Sequence, residues 1–338
     1  EEGEEGQGQA PYQRRLMGWD IPTFADVLMA RRRIAPYLNP TPLFSYPLLS
    51  DMVGTEVFVK HENHQPIGAF KVRGGVNLIS QLTADEHQRG VVTASTGNHG
   101  QSVAYAARLF GVRAVICVPE NANPAKLASM RGLGAELVEY GRDFDDAKAH
   151  CQELAGSEGY RYIDSGNEPH LIAGVATSTL EILEQEPAIE VLIVPIGGGS
   201  GASGACIVAN AVDPSIRVVG VQSAQAPAAF RSWKERALVE DKTETIAEGL
   251  ATRAPFELPQ SILWELLHDF ILVGDDEIQE AQLRLIDATR NMVEAAGAAS
   301  TAGALKLKGE LAGKRVAVVL SGGNISRSQL QTLLSRGG

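Results

Sequence analysis

Cysteine is scarce in this chain, and its three cysteines lie far apart. Cys117, Cys151 and Cys206 are an odd set in which no two have CxxC spacing. Such a set builds neither a disulfide framework nor a zinc site made of cysteine pairs. No secretory hydrophobic segment opens the sequence. We therefore expect a protein of a reducing compartment, located in the cytoplasm.

Long apolar runs and an excess of positive charge are also lacking. The longest apolar stretches, such as Val316–Leu320, are no longer than one β-strand, whereas a membrane-spanning helix needs roughly 18 residues. Lys and Arg number 30 against 41 Asp and Glu, and the resulting net charge of −11 repels a phosphate backbone. We expect neither membrane nor nucleic acid as a partner. A small anionic ligand can still bind at a local site.

Short β-branched runs alternate along the chain with amphipathic helical patterns. The apolar residues of Asn98–Phe110 recur at the i, i+3, i+4, i+7 spacing of a helix with one buried face, and residues 278–292 show a similar pattern. Mostly apolar strands between helices indicate parallel sheets that are covered on both faces, so we predict the α/β class. The predicted strands cover residues 56–60, 90–94, 114–118, 135–139, 191–196, 217–221 and 316–320.

The predicted strands fall into two groups along the sequence. We predict a smaller domain over residues 90–167, inserted within a larger, discontinuous domain of residues 11–85 and 168–338. Residues 1–10 are acidic and Gly-rich, and we interpret them as a mobile tail.

A glycine-rich loop directly follows the predicted strand over residues 191–196. Glycines let backbone N–H groups approach an anion closely, and the helix predicted after the loop adds the positive end of its dipole. A tight turn that binds nothing is the simpler alternative. The pattern favours a phosphate-binding cup formed by Gly197, Gly198, Gly199, Ser200 and Gly201.

A second loop, rich in polar side chains, joins the strand over residues 90–94 to the helix Asn98–Phe110. Hydroxyls, an amide and backbone N–H groups converge at this helix start, in an arrangement that suits a carboxylate. An ordinary helix N-cap by a hydroxyl residue is an equally good interpretation. The loop residues are Ser95, Thr96, Gly97, Asn98 and His99.

Lys71 lies between Phe70 and Val72 in the segment GAFKVRGG, which is otherwise apolar and Gly-rich. A lysine on such a segment is usually a solvated surface charge. If it is buried, its pKa falls and the amine can form a Schiff base. A further Gly-rich segment, SGGN, begins at Ser321 at the carboxyl end of a predicted strand, where parallel sheets bind ligands.

Together, GAFKVRGG, STGNHG, GGGSG and SGGN, in this order, resemble the motifs of the fold-type II pyridoxal-5′-phosphate enzymes. The resemblance runs from about Ile34 to the C-terminus and is strongest to threonine and serine dehydratases and serine racemases. It implies a tryptophan synthase β-like fold, with two three-layer parallel-sheet domains and the cofactor between them. It also implies a homodimer.

The resemblance implies a role for each motif residue. Lys71 carries the cofactor as a Schiff base and then moves the substrate Cα proton, and Phe70 packs beside the pyridine ring. Asn98 bonds the ring hydroxyl and Ser321 meets the ring nitrogen. The glycine loop holds the cofactor phosphate. The substrate carboxylate is surrounded by Ser95, Thr96, Gly97 and His99.

Two features of the sequence bear on the reaction. A serine hydroxyl at Ser321 donates to a neutral ring nitrogen but does not keep it protonated, which favours β-elimination over transamination. Members of the family that use a divalent cation place carboxylates shortly after the strand that follows the glycine loop. Here those positions are Gln222, Ala226 and Ala228, so we expect no Mg²⁺ or Ca²⁺ site.

The resemblance implies a lyase that converts a β-hydroxy-α-amino acid, similar to threonine or serine, into a 2-oxo acid and ammonia. Dehydration of hydroxyaspartate or phenylserine is one alternative. Racemisation is another, because Thr96 places a hydroxyl where racemases of the family have their second acid/base. Gly197, Gly199 and Ala202 also match the G-x-G-x-x-A pattern of a dinucleotide-binding protein, but no acidic residue to bind a ribose lies between Gly197 and Val212.

We also expect no feedback control by a C-terminal module, since no regulatory domain fits after Gly338.

Overall fold

The computed structural model describes residues 15–16 and 18–335. The tail predicted over residues 1–10 lies outside the described residues. The strands are β1 (Arg15–Leu16), β2 (Trp19–Asp20), β3 (Leu43–Ser45), β4 (Val57–His61), β5 (Val91–Ala94), β6 (Ala114–Val118), β7 (Glu136–Glu139), β8 (Arg161–Tyr162), β9 (Val191–Pro195), β10 (Arg217–Ser223), β11 (Asp269–Val273) and β12 (Val316–Leu320). The α-helices are α1 (Phe24–Ile34), α2 (Pro47–Val53), α3 (Val72–Ile79), α4 (Ala84–Arg89), α5 (Asn98–Phe110), α6 (Pro124–Gly132), α7 (Phe144–Glu158), α8 (Pro169–Gln185), α9 (Ser200–Val212), α10 (Ala228–Glu235), α11 (Glu257–Leu266), α12 (Asp275–Thr289), α13 (Ala295–Lys306) and α14 (Arg327–Leu334).

Two sheets organise the described chain, and the predicted α/β class is confirmed. The larger sheet has the strand order β11-β10-β9-β12-β4-β3, and only its edge strand β3 runs antiparallel to its neighbour. The smaller sheet has the order β7-β6-β5-β8 and is parallel throughout. Its strands all come from residues 91–162, inside the segment predicted as the smaller domain. The domain boundaries themselves stay a prediction.

Helices cover both faces of each sheet. On the larger sheet, α9 packs against β9 and β10 on one face, and α13 packs against β9, β10 and β12 on the other. On the smaller sheet, α7 and α5 cover opposite faces. The strands β6 and β12 have the predicted bounds. The helix predicted over residues 278–292 instead ends at Thr289, because Arg290 adopts a left-handed conformation with φ of 59°.

Four charged side chains from distant parts of the chain meet in the interior, and we call them the buried ion cluster: Lys60, Glu62, Arg73 and Glu181. Arg73 donates to both oxygens of Glu62 at 2.7 and 2.8 Å, and to both oxygens of Glu181 at the same two distances. Lys60 Nζ donates to Glu181 at 2.8 Å. All four side chains are at most 2% exposed, so water cannot replace a missing partner.

The cluster keeps its carboxylates ionised in spite of burial. Burial alone would raise the pKa of Glu181, but the hydrogen bonds and charges of Arg73 and Lys60 lower that pKa to about 2. The pKa of Glu62 is lowered in the same way by Arg73.

Among the described residues, no helix has both the length and the apolar character needed to cross a membrane.

We expect Glu181→Gln to lower the free energy of unfolding by about 3–5 kcal/mol, because it leaves buried cations without their counter-charge. Urea denaturation measures this change. The control is Glu184→Gln, which removes a partly exposed partner of Arg31 one helical turn away and should cost at most about 1 kcal/mol. Because the folded-state pKa of Glu181 is depressed, its stabilisation is complete above pH 4.5 and is lost as the pH falls towards about 2. An equally steep loss of stability in Glu181→Gln over that pH range would contradict this account.

Candidate active site

The Lys71 segment and the SGGN segment are joined through their backbones. Phe70 N donates to Ser321 O at 3.0 Å, and Gly323 N donates to Gly68 O at 2.9 Å. Between these bonds, Ala69 and Gly322 form an isolated antiparallel bridge. Ser321 follows β12, one of the two central strands of the larger sheet, so the segment that carries Lys71 is held at the carboxyl edge of that sheet.

The amine of Lys71 points at the glycine loop. Lys71 Nζ donates to Ser200 Oγ at 2.9 Å and lies 5.5 Å from the centroid of the Phe70 ring. The Lys71 carbonyl accepts from Ser102 Oγ at 2.6 Å, which also fixes its backbone. Burial lowers the pKa of Lys71 to about 8, although the charge of Asp164 opposes this shift. At neutral pH a larger share of this lysine is therefore a neutral amine than for an exposed lysine.

The glycine loop has no room for side chains at the positions that face the protein. A Cβ at Gly197 would collide with the Gly249 carbonyl, and one at Gly201 would lie 3.1 Å from the Phe70 ring. Gly199 has a φ of +84°, in the region that favours glycine. Directly after it begins α9, a helix of 13 residues whose first N–H groups have no intrahelical acceptor. The loop is thus a cradle of backbone donors at a positive helix end.

Asn98 is the middle residue of a chain of side-chain hydrogen bonds. It donates from Nδ2 to Glu294 Oε1 at 2.7 Å and accepts at Oδ1 from Asn324 Nδ2 at 2.8 Å. The Glu294 carboxylate lies so close to Gly322 that a Cβ there would collide with it. Burial raises the pKa of Glu294, while the Asn98 bond opposes the shift. The chain connects the STGNHG loop to the SGGN segment across the site.

The STGNHG loop is fixed by its own side chains. Ser95 Oγ accepts from Gly97 N at 3.2 Å and from Gly100 N at 2.9 Å, but the N-cap residue of α5 is Gly97, so the N-cap is not a hydroxyl residue. The single proton of the Thr93 hydroxyl goes to the Ile163 carbonyl, so Thr93 accepts from His99 Nε2 at 2.9 Å. His99 Nδ1 is then a buried acceptor, and no donor within the described part of the chain reaches it. Burial lowers the pKa of His99 to about 3, with the Lys71 charge adding to the effect, so His99 is neutral.

The structure brings the predicted residues together in one region. Lys71, Phe70, the glycine loop, Asn98 and Ser321 are connected by the contacts given above, and Thr96 and Gly97 are partly buried beside Asn98. Sequence reasoning missed Glu294 and Asp164. Each is a single acidic residue at the start of a helix or in a turn, so no spacing pattern could have singled it out.

Gln222 is fully buried, and its side chain already has a partner. Its Oε1 accepts from the backbone N–H of Phe230 at 2.9 Å. Ala226 and Ala228 are buried nearby and have no side-chain oxygen. Within residues 15–16 and 18–335, no group of three or more His, Cys, Asp or Glu side chains could hold a metal ion. The absence of a divalent cation stays a prediction.

The site matches a ligand that carries both an aldehyde and a phosphate. The lysine amine suits the aldehyde, since it is partly neutral, and the glycine cradle suits the phosphate, since its donors are backbone N–H groups at a helix start. Ser200 connects the two features, because it belongs to the cradle and accepts from Lys71.

Comparisons with known proteins agree with this chemistry. The family model described as "Pyridoxal-phosphate dependent enzyme" matches residues 34–322. The chain is 36% identical to the L-threo-3-hydroxyaspartate ammonia-lyase of Saccharomyces cerevisiae over 93% of this chain and 97% of that protein. It is also 36% identical to the L-threonine ammonia-lyase of Thermotoga maritima, over 93% of this chain and 79% of that protein. The solved structure of the serine racemase from Dictyostelium discoideum superposes with a TM-score of 0.86 at 32% identity, covering 90% of this chain and 99% of that one.

We expect Lys71→Ala to lose the absorbance band of Schiff-base-bound pyridoxal phosphate, together with all ammonia release. Borohydride reduction of the unsubstituted protein, followed by peptide mapping, should place the cofactor on Lys71. Lys234→Ala is the control, because Lys234 also lies beside a phenylalanine ring, at 5.7 Å, but on surface helix α10. A cofactor label on any other lysine would refute the assignment.

We expect activity to survive exhaustive chelation, because Gln222 Oε1 is already bonded to Phe230 N and the described residues contain no group of three or more His, Cys, Asp or Glu side chains that could hold a metal ion. Ammonia release after dialysis against EDTA, with and without added Mg²⁺, measures this. Loss of activity on chelation with recovery in Mg²⁺ would mean that other residues form a cation site.

Proposed function

The chain belongs to the pyridoxal-phosphate dependent enzymes, and we propose that it is an ammonia-lyase for β-hydroxy-α-amino acids. It converts an amino acid similar to threonine or serine into a 2-oxo acid and ammonia by α,β-elimination. The observation that carries this proposal is the Lys71 amine, which is held against the glycine loop by Ser200. Two relatives at 36% identity are named as ammonia-lyases, which supports the same reaction class.

Bound pyridoxal phosphate would supply an electron sink for the bond that breaks at the substrate Cα. Different residues of the site would hold different parts of it. The glycine loop, residues 197–201, would bind the phosphate, and Phe70 would pack beside the ring. Asn98, whose orientation is set by Glu294 and Asn324, would bond the ring hydroxyl. Ser321 would donate to the ring nitrogen.

The substrate carboxylate is bound by the STGNHG loop. The N–H groups of Asn98 and His99 begin α5 and have no intrahelical acceptor, so they would be available to an anion at this helix start. Ser95 accepts two backbone bonds at Oγ and keeps its own proton for the carboxylate, and Thr96 and Gly97 border the same space. The neutral His99, an acceptor at Nδ1, supports the loop through Thr93. We assign it to orienting the loop beside the carboxylate.

Lys71 moves the Cα proton. Its Nζ has a pKa of about 8, close to the pH at which a base must accept and return protons efficiently. Elimination needs a base on this face alone. Once the Cα proton is removed, the β-hydroxyl leaves as water. The enamine that results is released, tautomerises to an imine, and is hydrolysed by water to the 2-oxo acid and ammonia.

Racemisation is the second candidate, and it rests on Thr96. Returning a proton on the opposite face needs a second acid, and the partly buried Thr96 hydroxyl is the residue we nominate. The similarity to a serine racemase supports this candidate as a side reaction. The Thr96 methyl group narrows the space on that face, so elimination dominates for substrates with a leaving group.

We also propose that the enzyme works in the cytoplasm as a homodimer. Its three cysteines are buried free thiols, as suits a reducing compartment. Phe44 and Leu48, 52% and 48% exposed, leave apolar surface beside the edge strand β3, where a second copy would cover it.

We expect Thr96→Ala to suppress formation of the D-amino acid while ammonia release falls less than about threefold, because elimination uses only the Lys71 face. The measurement is a panel of serine, threonine, hydroxyaspartate and phenylserine, with detection of 2-oxo acid and ammonia and chiral analysis of the remaining substrate. Thr96→Val keeps the shape without the hydroxyl and should behave in the same way.

Two outcomes would contradict this reading. Faster formation of D-amino acid than of 2-oxo acid by the unsubstituted enzyme would make the protein a racemase. An equal loss of both activities in Thr96→Ala would mean that Thr96 holds the carboxylate and transfers no proton.

A further inference from the structure

A turn beside the STGNHG loop brings a carboxylate to the site. The turn begins at Asp164, two residues after β8, which runs parallel to β5. Ile163 N donates to Val92 O at 2.8 Å, and Thr93 Oγ1 donates to Ile163 O at 2.8 Å. Asp164 therefore lies level with the carboxyl end of β5, where Ser95 begins the loop that we assign to the substrate carboxylate.

The far side of the same turn contacts the region of the glycine loop. Gly166 packs so closely against the Phe256 ring that a Cβ there would collide with it, and a Cβ at Gly198 would lie 3.0 Å from that ring. Asn167 Oδ1 accepts from Leu258 N at 3.0 Å. The turn thus connects the STGNHG loop with the region of the glycine loop.

The Asp164 side chain is fixed by its own backbone. Its Oδ1 accepts from Gly166 N and from Asn167 N, both at 2.9 Å. Its negative charge acts on Lys71, where it opposes the lowering of the pKa by burial. Among the residues that the structure describes, no ion pair joins Asp164 to a cation, whereas its neighbour Arg161 is paired with Glu168 at 2.8 Å.

We propose that Asp164 selects substrates by the charge of their side chain. With Oδ1 held by the turn, Oδ2 faces the β-substituent and accepts a hydrogen bond from a neutral hydroxyl or a cationic group. A second carboxylate on the substrate is repelled. The proposal rests on the proposed function and narrows it: the substrate is a neutral or cationic amino acid, and dicarboxylic amino acids such as hydroxyaspartate are poor substrates. The yeast relative is named for hydroxyaspartate, so this chain would differ from it in specificity.

The test compares L-aspartate with L-asparagine, which have nearly the same shape and lack the β-hydroxyl leaving group. Binding of each to the holoenzyme is followed by the absorbance change of the bound cofactor. We expect L-asparagine to bind about tenfold or more tightly than L-aspartate, because one unit charge in a partly buried site has an effect of this order. Asp164→Asn keeps the Oδ1 acceptor of the turn and should reduce the difference to about threefold or less.

Asp213→Asn is the matched control. Asp213 also accepts at Oδ1 from a backbone N–H two residues on, that of Ser215 at 2.8 Å, but it lies at the opposite end of α9 from the glycine loop. The Asp213→Asn substitution removes the same charge and preserves the same kind of turn, but far from the site. The preference for L-asparagine should therefore not change. In parallel, the ratio of kcat/KM for serine to that for hydroxyaspartate should fall about tenfold in Asp164→Asn and stay constant in Asp213→Asn.

Tighter binding of L-aspartate than of L-asparagine by the unsubstituted enzyme would overturn the proposal. Lys148, whose Nζ lies 5.8 Å from the centroid of the Phe256 ring, would then be the group to examine. An unchanged preference in Asp164→Asn would also overturn it. If the preference changes as expected but no β-hydroxy amino acid releases ammonia, the charge selection holds and the lyase assignment fails.

Discussion

The Arg73 guanidinium, buried between Glu62 and Glu181, is the constraint on which the geometry of the site depends. Arg73 is in the first turn of α3, two residues after Lys71. Its four bonds to the two carboxylates fix that turn to the segment after β4 and to α8. Removing a buried charge from water is expensive, so the cluster is stable only when every member is in place. The backbone that carries Lys71 therefore has little freedom to move.

The hydrogen bonds within the site add a second level of order. Lys71 is positioned on its carbonyl side by Ser102 and on its amine side by Ser200. Backbone hydrogen bonds join the SGGN segment to the segment that carries Lys71, and the Asn324 side chain joins it to Asn98. Residues far apart in the chain thus reach one small volume with most of their polar atoms already paired. Preorganisation of this kind lowers the cost of binding a ligand.

The sequence predicts the class of fold and most of the site, for physical reasons that particular elements illustrate. Helix α5 and strands β6 and β12 have the predicted bounds because their hydrophobic patterns are long and regular. Strand β8 was missed because it has two residues, too few for any periodicity. Glu294 and Asp164 were missed for a different reason. Their importance comes from which parts of the chain meet in space, and a single sequence carries no signal of such contacts.

The strand order of the larger sheet has a consequence for the way the chain is made. Strand β12 lies between β9 and β4, although it comes after both of them in the sequence. During synthesis, β4 and β9 therefore have no partner between them until residues 316–320 leave the ribosome. The smaller sheet, by contrast, is formed by one continuous stretch and can pair as soon as that stretch emerges. The backbone around Lys71 bonds to Ser321 and Gly323. The reactive amine therefore reaches its working position only after residues 321–323 have been made, and a chain that stops before them has no assembled site.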